Sequence, residues 1–393
     1  MGGSQSALGS NSGIRSAASS RDNLTDLVVE LKQGLGHGQF QHILAFFSGD
    51  YDIEQLSGAL SFAFPDTAIS GCSTAGQIAP DGMTAAGVLL VAFPEDGFVV
   101  HSGLIEDVSR FGVERATDLT RRLKNRLPSS MQVPHPGSFA ILLVDGLSKV
   151  EEQIVAAVHW AIEDVPLIGG SAGDGLSFRR AAILYEGRVL DDAAILFVVE
   201  TQHPFRVFKT QNFEPTPIKL VVTAADTENR IVYELNAEPA AREYAAAIGL
   251  LPDDLGPFSF ASYPLVVKVG DDYYCRSIRN LNDDGSLTFF CAIDEGIVFT
   301  VARPQDMLKA TRGTLEAIER EIGTVDTVIG FDCVLRRLDA ENRQIRHQME
   351  DLYKRYGVVG FHTYGEQFNA MHLNQTLTGI AFGAWCDMPR QLK

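Results

Sequence analysis

The sequence predicts an α/β (α+β) protein, and three observations carry that prediction. The first half contains an internal repeat in which short apolar strands alternate with amphipathic helices. Two prolines break that pattern at Gln211–Pro217 (QNFEPTP). Beyond the break, strand-rich and helical stretches follow in a different order. The expected architecture is an N-terminal module that is an internally duplicated α/β unit with central sheets, over 23–215. A mixed α/β module follows over 216–388.

Residues 1–22 are mostly Ser, Gly and Ala without an apolar period and read as a disordered tail. Order is expected to begin at Asn23, where Leu24, Leu27, Val28 and Leu31 take helical spacing. The repeat then spans about 43–105 and 141–200. Ile43 and Ile141 are 98 positions apart, as are Ser73 and Ser171. Each copy reads strand, helix, strand and a small-residue loop, GCSTAG at 71–76 and GGSAG at 169–173, and then further strands. After the prolines come a strand at Lys219–Val222, an Ala-rich helix from Glu238 to Ile248, and strands at Pro264–Val269, Tyr273–Ile278 and Leu287–Phe290. A helix over Pro304–Ile322 and a strand over Val325–Phe331 lead to one long helix, Val334–Tyr356. That last helix holds six bases and four acids, which suggests an interaction face for an acidic partner or for a second copy of the chain.

Composition narrows the function. The 393 residues carry 33 Lys and Arg against 50 Asp and Glu, a formal net charge of −17. Such a chain repels phosphate backbones and anionic membrane surfaces, so no nucleic acid and no membrane are expected as partners. The five cysteines, Cys72, Cys275, Cys291, Cys333 and Cys386, are scattered with no C-x-x-C, as in a reducing cytoplasm. No apolar run approaches the roughly 18 residues of a membrane span, and the N-terminus lacks a signal-peptide pattern. A cytoplasmic protein with small-molecule or protein partners is expected.

Three sets of residues carry chemistry. The loops at 71–76 and 169–173 combine Gly with small hydroxyl residues, so that Cys72, Ser73 and Ser171 form walls for a ligand. GGSAG also satisfies G-x-S-x-G, but a strand follows it where a nucleophile elbow needs a helix. The segment 360–383 embeds His362, Tyr364, Glu366, Asn369, His372 and Gln375 among Phe361, Phe368 and Met371, the mixture a mostly apolar pocket requires. His203 stands apart, beside Phe205 and Phe208.

GCSTAG at 71–76, GGSAGDG at 169–175, FDCVLRR at 331–337 and YGEQFNAMHLNQT at 364–376 together resemble the FIST signal-transduction family. The resemblance covers about residues 40–385, with a FIST N-terminal module followed by a FIST_C module. It implies a sensory, non-catalytic bacterial protein that binds small ligands such as amino acids. Free-standing members include haem-binding nitric oxide sensors that act on a partner histidine kinase in two-component signalling, and this chain resembles that type. On that implication haem b is the cofactor and His372 or His362 its axial iron ligand, with His203 a third candidate. The competing reading is a metal-free sensor of an amino acid or similar metabolite, held by Tyr364, Glu366, Asn369 and Gln375. A third is a hydrolase-like enzyme using Ser171 or Cys72. A homodimer is compatible with each.

Overall fold

The computed structural model describes residues 12–126 and 137–383. Its first unit runs β1 (Arg15–Ser19), α1 (Leu24–Leu35), β2 (Phe40–Ser48), α2 (Ile53–Ala63), β3 (Ile69–Thr74), β4 (Gln77–Ala79), β5 (Gly82–Thr84) and β6 (Val88–Pro94). The second repeats that order as β7 (Phe98–Glu106), α3 (Val108–Lys124), β8 (Gly137–Asp145), α4 (Glu151–Ile162), β9 (Leu167–Ala172), β10 (Ile183–Tyr185), β11 (Arg188–Leu190) and β12 (Ala193–Thr201). These are the two copies the sequence shows. Asn23 and Asp52 start α1 and α2 by accepting first-turn N–H groups, so α1 begins beside Asn23.

A third copy follows, interrupted by an insertion. It starts with β13 (Phe205–Gln211). The chain then leaves the unit through β14 (Phe213–Asp226), β15 (Ile231–Leu235), β16 (Glu238–Pro239), α5 (Ala240–Ile248), α6 (Pro257–Ser262), β17 (Leu265–Val269), β18 (Asp272–Arg276), β19 (Ile278–Leu281), β20 (Leu287–Phe289) and β21 (Val298–Pro304). It returns as α7 (Met307–Ile322), β22 (Val325–Cys333), α8 (Val334–Asn342), α9 (Arg346–Arg355), β23 (Val358–Thr363), β24 (Glu366–Phe368), β25 (Met371–Leu373) and β26 (Thr376–Gly383).

The three units build three six-stranded sheets, β1-β6-β2-β3-β10-β11, β7-β12-β8-β9-β24-β25 and β13-β26-β22-β23-β4-β5. Each has the same plan: a parallel pair at its centre, an antiparallel return strand, an edge strand, and a hairpin lent by another unit. The first unit lends its hairpin to the third sheet, the second to the first, and the third to the second, so the exchange closes a ring. One apolar cluster takes Phe46 and Cys72 from the first unit, Phe139 and Ile168 from the second, and Phe331 and Phe361 from the third. The opposite face of each sheet packs on its own helices. The insertion forms a separate sheet, and its two ends meet where Gln305 N–H donates to Asn212 O at 2.7 Å.

Four expectations change. The repeat is triple, not double. The break at 211–217 marks where the chain enters the insertion, while β13 before it pairs with β26 near the far end, so the two halves share a sheet. Within the expected disordered tail, Arg15–Ser19 forms β1, paired with β6 over five residues. Its alternation went unseen because small residues suffice there: a Cβ on Gly34 of α1 would stand 2.8 Å from that of Ala17. Residues 1–11, Cys386 and the end of the expected second module lie outside the described residues. The long helix Val334–Tyr356 is two helices, parted near Gln344 at φ 57°. Several of its six bases are tied to acids of the same chain. Arg336 is buried on Asp332 at 2.7 Å, Arg343 pairs with Asp339, and Arg346 with Glu350.

Candidate functional site

The strand register shows which residues are equivalent in the three units. In the parallel pairs Phe47 faces Ser73, Val144 faces Ser171 and Asp332 faces His362. Ser73, Ser171 and His362 therefore hold one position, near the carboxyl ends of the strands where α/β folds bind ligands. Cys72 and Phe361, one residue earlier, point into the central cluster, so by strand alternation the three turn toward their own helices. The borrowed hairpins are equivalent too. Their cross-strand pairs are Leu184–Val189, Ile78–Met83 and Gln367–His372. The first pair packs with the helices of the first unit and the second with those of the third, as apolar core. The pair lent to the second unit is polar and equally enclosed, Gln367 at 0% and His372 at 3% exposure. Two polar side chains stand where the fold twice takes a hydrophobic pair.

Gln367 donates its amide N–H to Ser171 Oγ at 2.9 Å and lies 3.4 Å from His372 Nδ1. Gln367 Oε1 and His372 Nε2 remain buried without a partner. Burial holds the His372 imidazole below its ordinary pKa, against the pull of Glu152 and Glu151. These acids open α4, where the helix dipole favours negative charge. Arg230, at the turn after β14, donates to Glu151 at 2.6 Å, to Glu152 at 2.8 Å and to the Phe290 carbonyl. Ala292 N–H reaches Glu152 at 2.7 Å. Burial pushes the Glu151 carboxyl up, and Arg230 pulls it back down. Arg276, at the end of β18, adds a buried Nη1 with no partner. The site thus lies where the second unit, the third unit's hairpin and the insertion meet.

The other expected residues fall in different places. Cys72 is fully buried in the central apolar cluster, and burial pushes its thiol well above the usual range, away from the reactive thiolate. Ser73 Oγ accepts the Ala182 N–H at 2.8 Å. Tyr364 donates its hydroxyl to Asp174 and packs on Phe178 and Phe290. Glu366 accepts from the hydroxyls of Thr363 and Thr376, closing the base of the hairpin. Asn369 forms the hairpin turn at φ 51° and binds Leu167 through N–H and side chain. Gln375 reaches the Phe260 carbonyl at 3.1 Å and so holds the insertion. Ser171 alone of the small-loop residues joins the polar cluster. It sits inside a strand, its Oγ held by an amide, and no elbow forms around it.

The residues present do not fit haem in this arrangement. A porphyrin needs an open face against its axial imidazole. His362 has 0% exposure, and its Cδ2 lies 3.3 Å from where a Cβ on Gly76 would stand. His372 Nε2 lies 2.5 Å from the equivalent point on Gly365. Phe361 lies between Phe46 and Phe331, tilted to the first ring and edge-on to the second, and Phe368 packs against the central cluster. His203 is stacked on Phe98, centroids 5.2 Å apart.

Sequence reasoning named Ser171 and His372 but not Gln367, Glu151, Arg230 or Arg276. Gln367 stands inside the motif at 364–376, and the Glu151–Glu152 doublet at a helix start was a visible signal. Arg230 and Arg276 reach the site only through the folded insertion.

The class of protein is a ring of three α/β units, with one polar site set in an otherwise apolar layer and closed by an inserted module. Comparison with known proteins places this class in a family. The FIST N domain matches residues 41–238 and the FIST C domain residues 240–369. The chain belongs to the FIST family, sensory domains of signal transduction. It is also similar, at 22% identity, to the uncharacterized protein MJ1623 of Methanocaldococcus jannaschii, over 90% of this chain and 75% of that protein. Among the described residues no helix is long and apolar enough to cross a membrane.

Proposed function

We propose that this protein is a cytoplasmic sensor of a small metabolite with opposed charges, of which an amino acid is the simplest, bound without a metal at Gln367, His372, Glu151 and Arg230. The observation that carries the reading is the replacement of an apolar hairpin pair, Leu184–Val189 or Ile78–Met83 in the sister units, by Gln367–His372. A buried polar atom without a partner costs about 1–3 kcal/mol, a cost a fold keeps where the group serves another purpose. A ligand ammonium would pair with Glu151 and its carboxylate with Arg230 or Arg276. The four described cysteines are free and buried, as suits a reducing compartment.

The test gives the hairpin the residues of its sister, Gln367→Leu with His372→Val. A thermal-shift screen of amino acids on the wild type should find one that raises Tm by a few degrees, since a ligand at a hundred times its Kd adds about 2.7 kcal/mol. The double variant should fold, be at least as stable, and lose that response. An equal response in the variant, or none in the wild type, removes the reading. The haem reading, with nitric oxide as signal and a histidine kinase as receiver, requires the packing around His362 or His372 to open. A stoichiometric Soret band on haem addition, lost in His362→Ala or His372→Ala, would establish it instead.

A further inference from the structure

The helix before the first central strand holds one position in each unit, so the fold itself does not dictate differences among the three. α1 carries two acids and one base, and α7 three of each. α3 carries Arg110, Arg115, Arg121, Arg122 and Lys124 against Glu114 and Asp118. This is a basic helix on a chain of net charge −17. Arg115 is tied to Asp107 at 2.7 Å, and Lys124 is tied to Glu163. Arg110, Arg121 and Arg122 are exposed and have no anionic partner among the described residues.

Between α3 and β7 runs a groove of about 690 Å³, in which Arg115, Arg121, Arg122 and Arg188 outnumber Glu106 and Asp118, with Arg188 tied to Glu106 and Arg121 and Arg122 left unpaired among the described residues. β7 ends its sheet: its nine residues pair with β12 on one side, and its other edge pairs with no described strand. Such an edge is a template for another strand. Phe111, half exposed, lies beside the groove with the Arg115 guanidinium 5.0 Å over its ring.

We propose that this face docks an extended acidic segment of another protein, added to the second sheet along β7. Its main chain would pair with the free edge, its carboxylates with Arg121 and Arg122, and an apolar side chain would rest on Phe111. Arg matches carboxylates in bidentate geometry, so the groove selects for charge as well as for extended form. An acidic protein ordinarily repels acidic partners, and this helix is where that repulsion reverses.

The test is fluorescence anisotropy of the whole chain with a labelled peptide of alternating Glu and Val, matched in length to β7. Binding is expected, weakening as salt rises. Arg121→Glu with Arg122→Glu should weaken it about tenfold or more. The milder Arg121→Gln with Arg122→Gln should fall between. Lys309→Glu on α7 should leave it unchanged, with circular dichroism confirming that each variant folds. A peptide N-methylated on alternate residues should bind poorly, because one edge of its backbone has lost its donors. The proposal is overturned if the acidic peptide does not bind, or if a Lys–Val peptide binds as well. It is equally overturned if the charge reversal or the methylation has no effect, or if duplex DNA binds more tightly than the peptide.

Discussion

Glu366 shows what enclosure does to one side chain. It has no exposed surface, no cation pairs with it among the described residues, and burial pushes its pKa up to about 8 despite hydrogen bonds from Thr363 and Thr376. In the unfolded chain the carboxyl returns to its ordinary value, so between about pH 4.5 and 8 the native state holds the extra proton. Stability contributed by the protonated form is therefore present at low pH and lost as pH rises through that window, by up to about 1.4 kcal/mol per pH unit. Glu366→Gln keeps the shape without the titration. Urea denaturation at pH 5 and pH 8 should show a smaller loss for the variant than for the wild type; equal losses would place the titration elsewhere. The polar-aromatic density of 360–383 was legible as a special segment. Which residues face the site was not, because that depends on strand alternation: Glu366 and Gln367 are neighbours, yet Glu366 closes the hairpin and Gln367 lines the site.

Whole elements meet at Arg230. Its side chain is 6% exposed and that of Glu151 2%, so the pair is removed from water and fixes the insertion on α4. Breaking a buried ion pair from one side leaves the other charge uncompensated, at about 3–5 kcal/mol. Arg230→Ala should lose stability of that order in urea denaturation. Arg230→Met with Glu151→Leu should recover most of it, since an apolar pair of similar volume satisfies the same space. A small loss in Arg230→Ala would show that the insertion is held elsewhere, by Gln375 on Phe260 and by Ser262 on Asp339 at 2.9 Å. Element types were mostly visible in the sequence, because parallel strands buried on both faces read as apolar runs. The failures share a cause in tertiary packing. β1 is a strand because β6 offers an edge to its small residues. α8 and α9 part near Gln344, and α8 buries Leu335 and Leu338 in a cluster with Ala261 and Phe290 of the insertion.

At the scale of the molecule, the third repeat was hidden by the insertion between β13 and α7, which splits its sequence while leaving its place in the ring intact. That arrangement makes two cuts of the chain behave differently. A fragment ending at Asn212 keeps both visible repeats but leaves β9 without β24, β4 without β23 and β13 without β26. It also removes Phe331, Phe361 and Phe382 from the central cluster. Removing residues 213–304 instead leaves every borrowed hairpin in place, and Asn212 and Gln305 already touch. The fragment should unfold without a cooperative transition and bind a hydrophobic dye. The deletion should melt cooperatively, at a lower temperature because Leu335 and Leu338 lose their cover, and without a metabolite response because Arg230 and Arg276 are gone. A cooperative fragment would mean that two units close without the third. A deletion that still responds to ligand would confine the site to the ring, with Gln367 and His372 sufficient for it.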